Sequence, residues 1–170
     1  MFRNSIVPIT AGVMLALAGS AQAATKTSNI TVTASVASNC NITTTNMAFG
    51  AFTGVADLVG TATVGVRCSK GTGFTVTLSP GTTAGATFAQ RLLSDGGANT
   101  LQYNLFSDAA YTNIWGDGTA STDAYSATGT GLSVAGQFNR TVYGKLPNNS
   151  TNQDAQVGSY SDTIVASVVY

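Results

Sequence analysis

The feature that most constrains this chain is an alternation of apolar residues with Thr, Ser or Gly that recurs along most of its length. It is present in NITVTASV, GTATVGVRC, FTVTLSPG, LQYNLFSD, GQFNRTVYGKLP and DTIVASVVY. A period of two places successive side chains on opposite faces of a strand, and clusters of Gly, Pro, Asn and Asp between these segments are typical of turns. The pattern predicts an all-β fold, an antiparallel sandwich of immunoglobulin type.

Helical periodicity is weak by comparison. The nearest candidate is ATFAQRLLSD, whose neighbours are Gly and Thr. We therefore predict a loop with at most one turn of helix there.

Residues 1–23 predict a secretory signal peptide. Arg3 supplies a positive charge, IVPITAGVMLALAG an apolar stretch, and AQA a small-residue cleavage site. The alternative is a membrane anchor, but Pro8 and Thr10 interrupt an apolar run that falls short of the roughly 20 residues a span needs. The mature chain then begins at Ala24, is exported and is long enough for one domain.

Export changes the interpretation of Cys40 and Cys68, the two cysteines of the chain. In an oxidising compartment an even number of cysteines favours a disulfide. A metal site would need more thiolates or histidines than a chain with no histidine offers. A free reactive thiol is the weaker alternative, because no histidine is present to activate it.

Charge and composition argue against several classes of function. Charged residues make up 8% of the chain and the net charge is zero, so the basic surface that nucleic acid requires is not expected. Acid–base catalysis would depend on aspartates that lie beside Gly, Ser or Asn, as turn residues do. WGDGTASTD lacks the order of ligands in a calcium-binding loop. We therefore predict no enzyme, catalytic residue, metal or cofactor.

Three loop aromatics, Phe88, Tyr111 and Trp115, raise the alternative of a surface that binds sugars or an abiotic material. Packing in the core or in hairpins is the favoured interpretation for each.

The sequence ends in a strand whose edge would be open. In GSYSDTIVASVVY, one face carries Ile164, Ala166, Val168 and Tyr170. An apolar strand that no later strand covers invites pairing with another chain.

A second strand-like segment lies before the first cysteine. Residues 24–38 place Ile30, Val32, Ala34 and Val36 on one face, with no proline to prevent backbone pairing. Two interpretations are open: the segment is the first strand of its own sandwich, or it closes the open edge of a neighbouring molecule.

Several segments together resemble a known family. In order they are NC, FGAF, VGVRCSKGTGFTVTLSPG, RLLSDGGANTLQYNLFSDAAYTNIWGDG, VYGKLP and GSYSDTIVASVVY. They resemble the spore coat protein U family, which includes subunits of archaic, Csu-type chaperone-usher pili. The resemblance runs from about Cys40 to Tyr170, with a similar extension before it.

The resemblance implies an incomplete immunoglobulin-like sandwich at residues 39–170 that lacks its last strand, with residues 24–38 as a donor strand for the next subunit. A periplasmic chaperone would fill the edge at residues 164–170 first, and the next subunit would replace it at an outer-membrane usher. The expected product is a homo- or hetero-polymer with other pilus subunits, a cell-surface fibre for adhesion or biofilm formation. A secreted spore or cell coat protein of the same family is the alternative.

Overall fold

The computed structural model describes residues 22–170, and residues 1–21 of the predicted signal peptide lie outside them. The chain divides after Ser35 into two units. Residues 22–39 carry no assigned secondary structure and their side chains are exposed. Within residues 22–170 no helix has the length and apolar character needed to cross a membrane.

The second unit contains two antiparallel sheets, which confirms the all-β sandwich. The strands are β1 (Cys40–Thr44), β2 (Leu58–Cys68), β3 (Gly73–Leu78), β4 (Arg91–Ser94), β5 (Thr100–Phe106), β6 (Tyr125–Thr128), β7 (Phe138–Leu146) and β8 (Ala166–Val169). One sheet has the order β1-β2-β7-β5-β4 and the other the order β6-β3-β8. The helical residues are a 3₁₀ turn, Val134–Gly136, and one α-helical turn, α1 (Ser150–Gln153).

The core lies between the sheets and is built from alternate residues of the strands. Its buried apolar side chains are Val64, Val66, Phe74, Val76, Leu78, Leu101, Tyr103, Leu105, Trp115, Val142 and Leu146. In β2 the intervening residues Thr61, Thr63 and Arg67 face outward, as the period of two predicts.

The disulfide is present and lies across two neighbouring strands. Cys40 in β1 and Cys68 in β2 are register partners, with Cα atoms 4.1 Å apart, and their sulfur atoms are bonded. The predicted pairing is confirmed.

The prediction for ATFAQRLLSD was wrong, because Arg91–Ser94 forms β4 and pairs with β5. Asp95 closes the hairpin between them: its Oδ1 accepts from the Gly97 amide at 2.8 Å and its Oδ2 from the Asn99 side chain at 2.6 Å. Two adjacent leucines and a buried arginine break the alternation, so this strand has no local signature.

The strand-like segment before the first cysteine forms no strand within residues 22–170 of this chain. NITVTASV reads as a strand, yet within the described chain residues 29–36 belong to neither sheet. Strand β8 is shorter than the alternation in the sequence, beginning at Ala166 and not at Thr163.

Candidate functional site

An open cleft of about 1080 Å³ lies between the segment that follows β1 and the segment that leads into β8. Core side chains from both sheets form its floor, namely Val64, Leu78, Leu101, Tyr103, Leu105, Val142 and Leu146. The first wall carries Tyr160, Ile164 and Ala166, and the second wall carries Met47, Phe49 and Phe52. The cleft is therefore an opening into the apolar core of the sandwich.

The first wall of the cleft presents unpaired backbone. Strand β8 ends its sheet, so its edge away from β3 has no strand partner among residues 22–170. The Ser79 amide donates to the Val165 carbonyl at 2.9 Å, which fixes the side of the strand that bonds to the β3 end. Because bonding direction alternates along an antiparallel strand, the backbone groups of Ala166 and Val168 point to the open edge.

The second wall is also unpaired. The Thr45 amide donates to the Thr63 carbonyl at 3.0 Å. From there to the start of β2, residues 46–56 make no backbone–backbone hydrogen bond within the described chain. Two unpaired backbone edges thus flank an apolar floor. An extended polypeptide satisfies such a site, because it supplies hydrogen bonds on both sides and side chains below.

Asp162 anchors the segment that leads into β8. Its Oδ1 accepts hydrogen bonds from the backbone amides of Thr82 at 2.9 Å and Thr163 at 2.8 Å, and its Oδ2 accepts from the Tyr103 hydroxyl at 2.7 Å. Burial opposes ionisation, but these hydrogen bonds, led by the one from Tyr103, outweigh it and lower the pKa of Asp162 below its ordinary value. Burial, together with the hydrogen bond to Asp162, raises the pKa of Tyr103.

Beside this anchor lies Arg91, a charged residue that is fully buried. Its guanidinium donates to the Ser79 carbonyl at 2.8 and 3.1 Å, to the Trp115 carbonyl at 2.7 Å and to Asn104 Oδ1 at 2.6 Å. Burial lowers the pKa of Arg91 to about 10, although Tyr103 and Asp162 act electrostatically in the opposite direction. The arginine joins β4 to the end of β3, and so stabilises the segment against which the start of β8 lies.

Of the predicted edge-strand residues, Ile164 and Ala166 line this cleft, and Val168 and Tyr170 lie further along β8 and just after it. Ile164, Ala166 and Val168 are half-buried and pack against the core, whereas Tyr170 is 58% exposed beyond the last paired residue. The predicted donor residues are exposed: Ile30 by 89%, Val32 by 87% and Val36 by 92%, with Ala34 also exposed. Their roles as acceptor edge and donor strand stay predictions.

Asp95, Asp108 and Asp117 accept hydrogen bonds within their own turns, as predicted for turn residues. Asp108 Oδ1 accepts from the Asn113 amide at 2.7 Å, and Asp117 Oδ1 accepts from the Thr119 hydroxyl at 2.6 Å and the Thr119 amide at 2.9 Å. These hydrogen bonds lower the pKa of both carboxyls. Among the described residues, no three His, Cys, Asp or Glu side chains are grouped to hold a metal ion.

The loop aromatics also pack within the domain. Trp115 is buried and its Nε1 donates to the Val76 carbonyl at 3.3 Å. Tyr111 lies edge-to-face with Phe106 at 5.6 Å between ring centroids, and the Arg91 guanidinium lies 5.8 Å from the Phe88 ring. Sequence reasoning did not find Arg91, Tyr103 or Met47 as parts of the site, because each joins it through residues distant in the chain.

Comparison with known proteins finds related sequences. A sequence profile of the Spore Coat Protein U domain matches residues 26–167. Protein U of Myxococcus xanthus is 30% identical over an alignment of 184 residues, and the alignment covers 99% of this chain and 98% of that protein. The two antiparallel sheets and the edge position of β8 define a sandwich of the immunoglobulin-like class with an open edge. The chain belongs to the Spore Coat Protein U domain family.

A solved structure shares the fold. It is the pre-assembly complex of the chaperone CsuC and the tip adhesion subunit CsuE from archaic chaperone-usher Csu pili of Acinetobacter baumannii. The TM-score is 0.56 at 22% identity, and the match covers 79% of this chain but 40% of that chain.

Proposed function

We propose that this protein is a structural subunit of a surface pilus, assembled by donor-strand complementation along the chaperone-usher route. The observation that carries the proposal is the apolar cleft flanked by two unpaired backbone edges, at β8 and at residues 46–56. A peptide strand added to a sheet edge gains affinity from backbone hydrogen bonds and specificity from alternate side chains.

The N-terminal segment of a second copy, or of a related subunit, has the chemistry to fill this cleft. Its apolar face at Ile30, Val32, Ala34 and Val36 alternates at the period of a strand. Burial of these four side chains would contribute on the order of 5 to 10 kcal/mol before the cost of ordering the segment. Head-to-tail pairing of this kind does not close on itself and generates a filament.

The remaining steps follow from the same chemistry. An exposed apolar cleft is an aggregation hazard, so a periplasmic chaperone would cover it until an outer-membrane usher joins the subunits. The solved structure that shares the fold is a complex of a pilus subunit with its chaperone, which supports a partner of that kind. The fibre would be displayed at the cell surface and serve adhesion or biofilm formation.

A fused donor strand tests the proposal. A copy of NITVTASV joined after Tyr170 through a short flexible linker places the strand at high effective concentration beside the cleft. We expect the fused protein to unfold at a clearly higher temperature than the unfused mature chain and to remain monomeric. Equal stability with both proteins monomeric would mean that the domain was complete without the added strand, and the proposal would fail.

A pair of substitutions tests the donor face in the unfused chain. Ala34→Arg would bury an unpaired charge in the neighbour and should block polymerisation, whereas Thr33→Arg lies on the opposite face and should not. Size-exclusion chromatography with light scattering measures the assembly of both variants. If the two variants polymerise alike, residues 24–38 are not the donor strand.

A secreted spore or cell coat protein is the second candidate. It is favoured by the family to which the chain belongs and by the end-to-end match to Protein U. The same strand exchange would join the subunits, so negative-stain microscopy of intact cells separates the two: discrete fibres favour a pilus and a continuous layer favours a coat.

A further inference from the structure

The backbone of residues 46–56, the second wall of the cleft, is attached to the sandwich through side chains. Within the described chain these residues make no backbone–backbone hydrogen bond. Met47, Phe49 and Phe52 are half-buried and pack on the core, whereas Asn46 and Ala48 are exposed. The position of this wall therefore depends on how its inward side chains fit the sheet below.

A pair of glycines forms the place where Met47 fits. Gly60 in β2 and Gly144 in β7 are register partners on the inner face of the larger sheet. A Cβ atom at Gly144 would overlap Met47 Sδ and lie 2.9 Å from Phe49 Cζ, and one at Gly60 would lie 3.1 Å from both Met47 Cγ and the Ala48 carbonyl oxygen. Both distances are at or below the limit of ordinary packing, so the side chain of Met47 occupies the space that two missing side chains leave open.

A second contact sets the depth of the wall. The Phe49 ring meets the buried Tyr103 ring edge-to-face, with centroids 5.9 Å apart. Tyr103 in turn donates to Asp162, which holds the start of β8 on the opposite side of the cleft. Both walls are thus held by the larger sheet. Residues 46–56 pack on its glycine pair, and the segment before β8 is bound to it through the hydrogen bond between Tyr103 and Asp162.

From this geometry we infer that Met47 is a positioning residue for strand capture, a role that rests on the function proposed above. By filling the space over Gly60 and Gly144, it holds the unpaired backbone of residues 46–56 at the distance from β8 that an inserted strand requires. The donor strand then pairs with both edges. Without Met47 it would pair with β8 alone, and capture would be weaker.

The test uses the mature protein at nanomolar concentration and an excess of labelled NITVTASV peptide. In the wild-type protein we expect bound peptide to protect both residues 46–56 and β8 against amide hydrogen exchange. Met47→Ala should release the peptide roughly tenfold faster or more, and should keep the protection of β8 while losing that of residues 46–56. Met47→Leu conserves the volume and should behave as the wild type.

Two glycine variants provide a matched comparison. Gly144→Ala should have the same effect as Met47→Ala, because the added methyl group would displace the Met47 side chain. A Cβ at Gly73 would meet no atom within 4 Å, so Gly73→Ala should leave release unchanged. If Gly144→Ala does not fold, as judged by near-ultraviolet circular dichroism of the buried Trp115, the contrast between the two Met47 variants decides.

The outcomes separate this inference from the proposed function. Failure of the wild-type protein to bind the peptide would overturn both. Binding by the wild type, with Met47→Ala releasing the peptide at the same rate and protecting residues 46–56 equally, would overturn the positioning role and leave strand capture intact.

Discussion

Replacement of Arg91 by methionine tests whether a buried arginine stabilises the end of the cleft at which β8 begins. Methionine retains much of the apolar volume but removes every donor. The carbonyls of Ser79 and Trp115 would lose the hydrogen bonds that they accept at 2.7–3.1 Å. Each buried acceptor left without a donor costs about 1 to 3 kcal/mol, so Arg91→Met should lower the free energy of unfolding by about 2 to 6 kcal/mol.

The matched control is Arg140→Met, the same change at an exposed arginine. Arg140 lies over the Tyr125 ring at 4.0 Å, an interaction that contributes about 0.5 to 1 kcal/mol at an exposed site. Urea unfolding of the mature proteins with the disulfide intact measures both losses. Amide hydrogen exchange at Val165, whose amide donates to Ser79 Oγ at 2.9 Å, should accelerate in Arg91→Met and not in the control. Equal losses of stability in the two variants would refute the argument that Arg91 stabilises this end of the cleft.

Two further predictions concern the disulfide and the carboxylate that anchors the segment before β8. Cys40→Ser should lower stability by about 2 to 5 kcal/mol and reduce the amount of exported protein, and a titration that found two free thiols in the folded wild type would contradict the assignment. Asp162→Asn tests the pH dependence of stability. The pKa of Asp162 in the folded protein lies below its ordinary value of 3.8. The ionised carboxylate therefore stabilises the fold fully above pH 3.8, and this stabilisation is lost as the pH falls through the pKa of the folded state. The stability difference between wild type and Asp162→Asn should therefore be constant near neutral pH and shrink below about pH 4 in acid unfolding curves, and a difference that does not change with pH would argue against the ionised carboxylate.

Local sequence patterns determined the class of fold and the two apolar strand faces. A period of two is a property of neighbouring residues, so the strands at β2, β3, β5 and β7 could be predicted directly. The disulfide followed from the number of cysteines and the expected export. The alternating apolar faces at residues 30–36 and 164–170 were also visible, because an amphipathic strand has a local signature, whereas their roles as donor strand and acceptor edge stay predictions.

The tertiary structure alone decided how the cleft is built. Tyr103 and Asp162 are 59 positions apart, and Met47 meets Gly60 and Gly144 only when β2 and β7 are in register. Strand β4 escaped prediction because its buried arginine finds its partners at Ser79, Asn104 and Trp115, which no local pattern reveals. Periodicity sets which face a side chain takes, whereas strand register and the packing of the two sheets set which distant side chains meet, and those contacts give the cleft its walls.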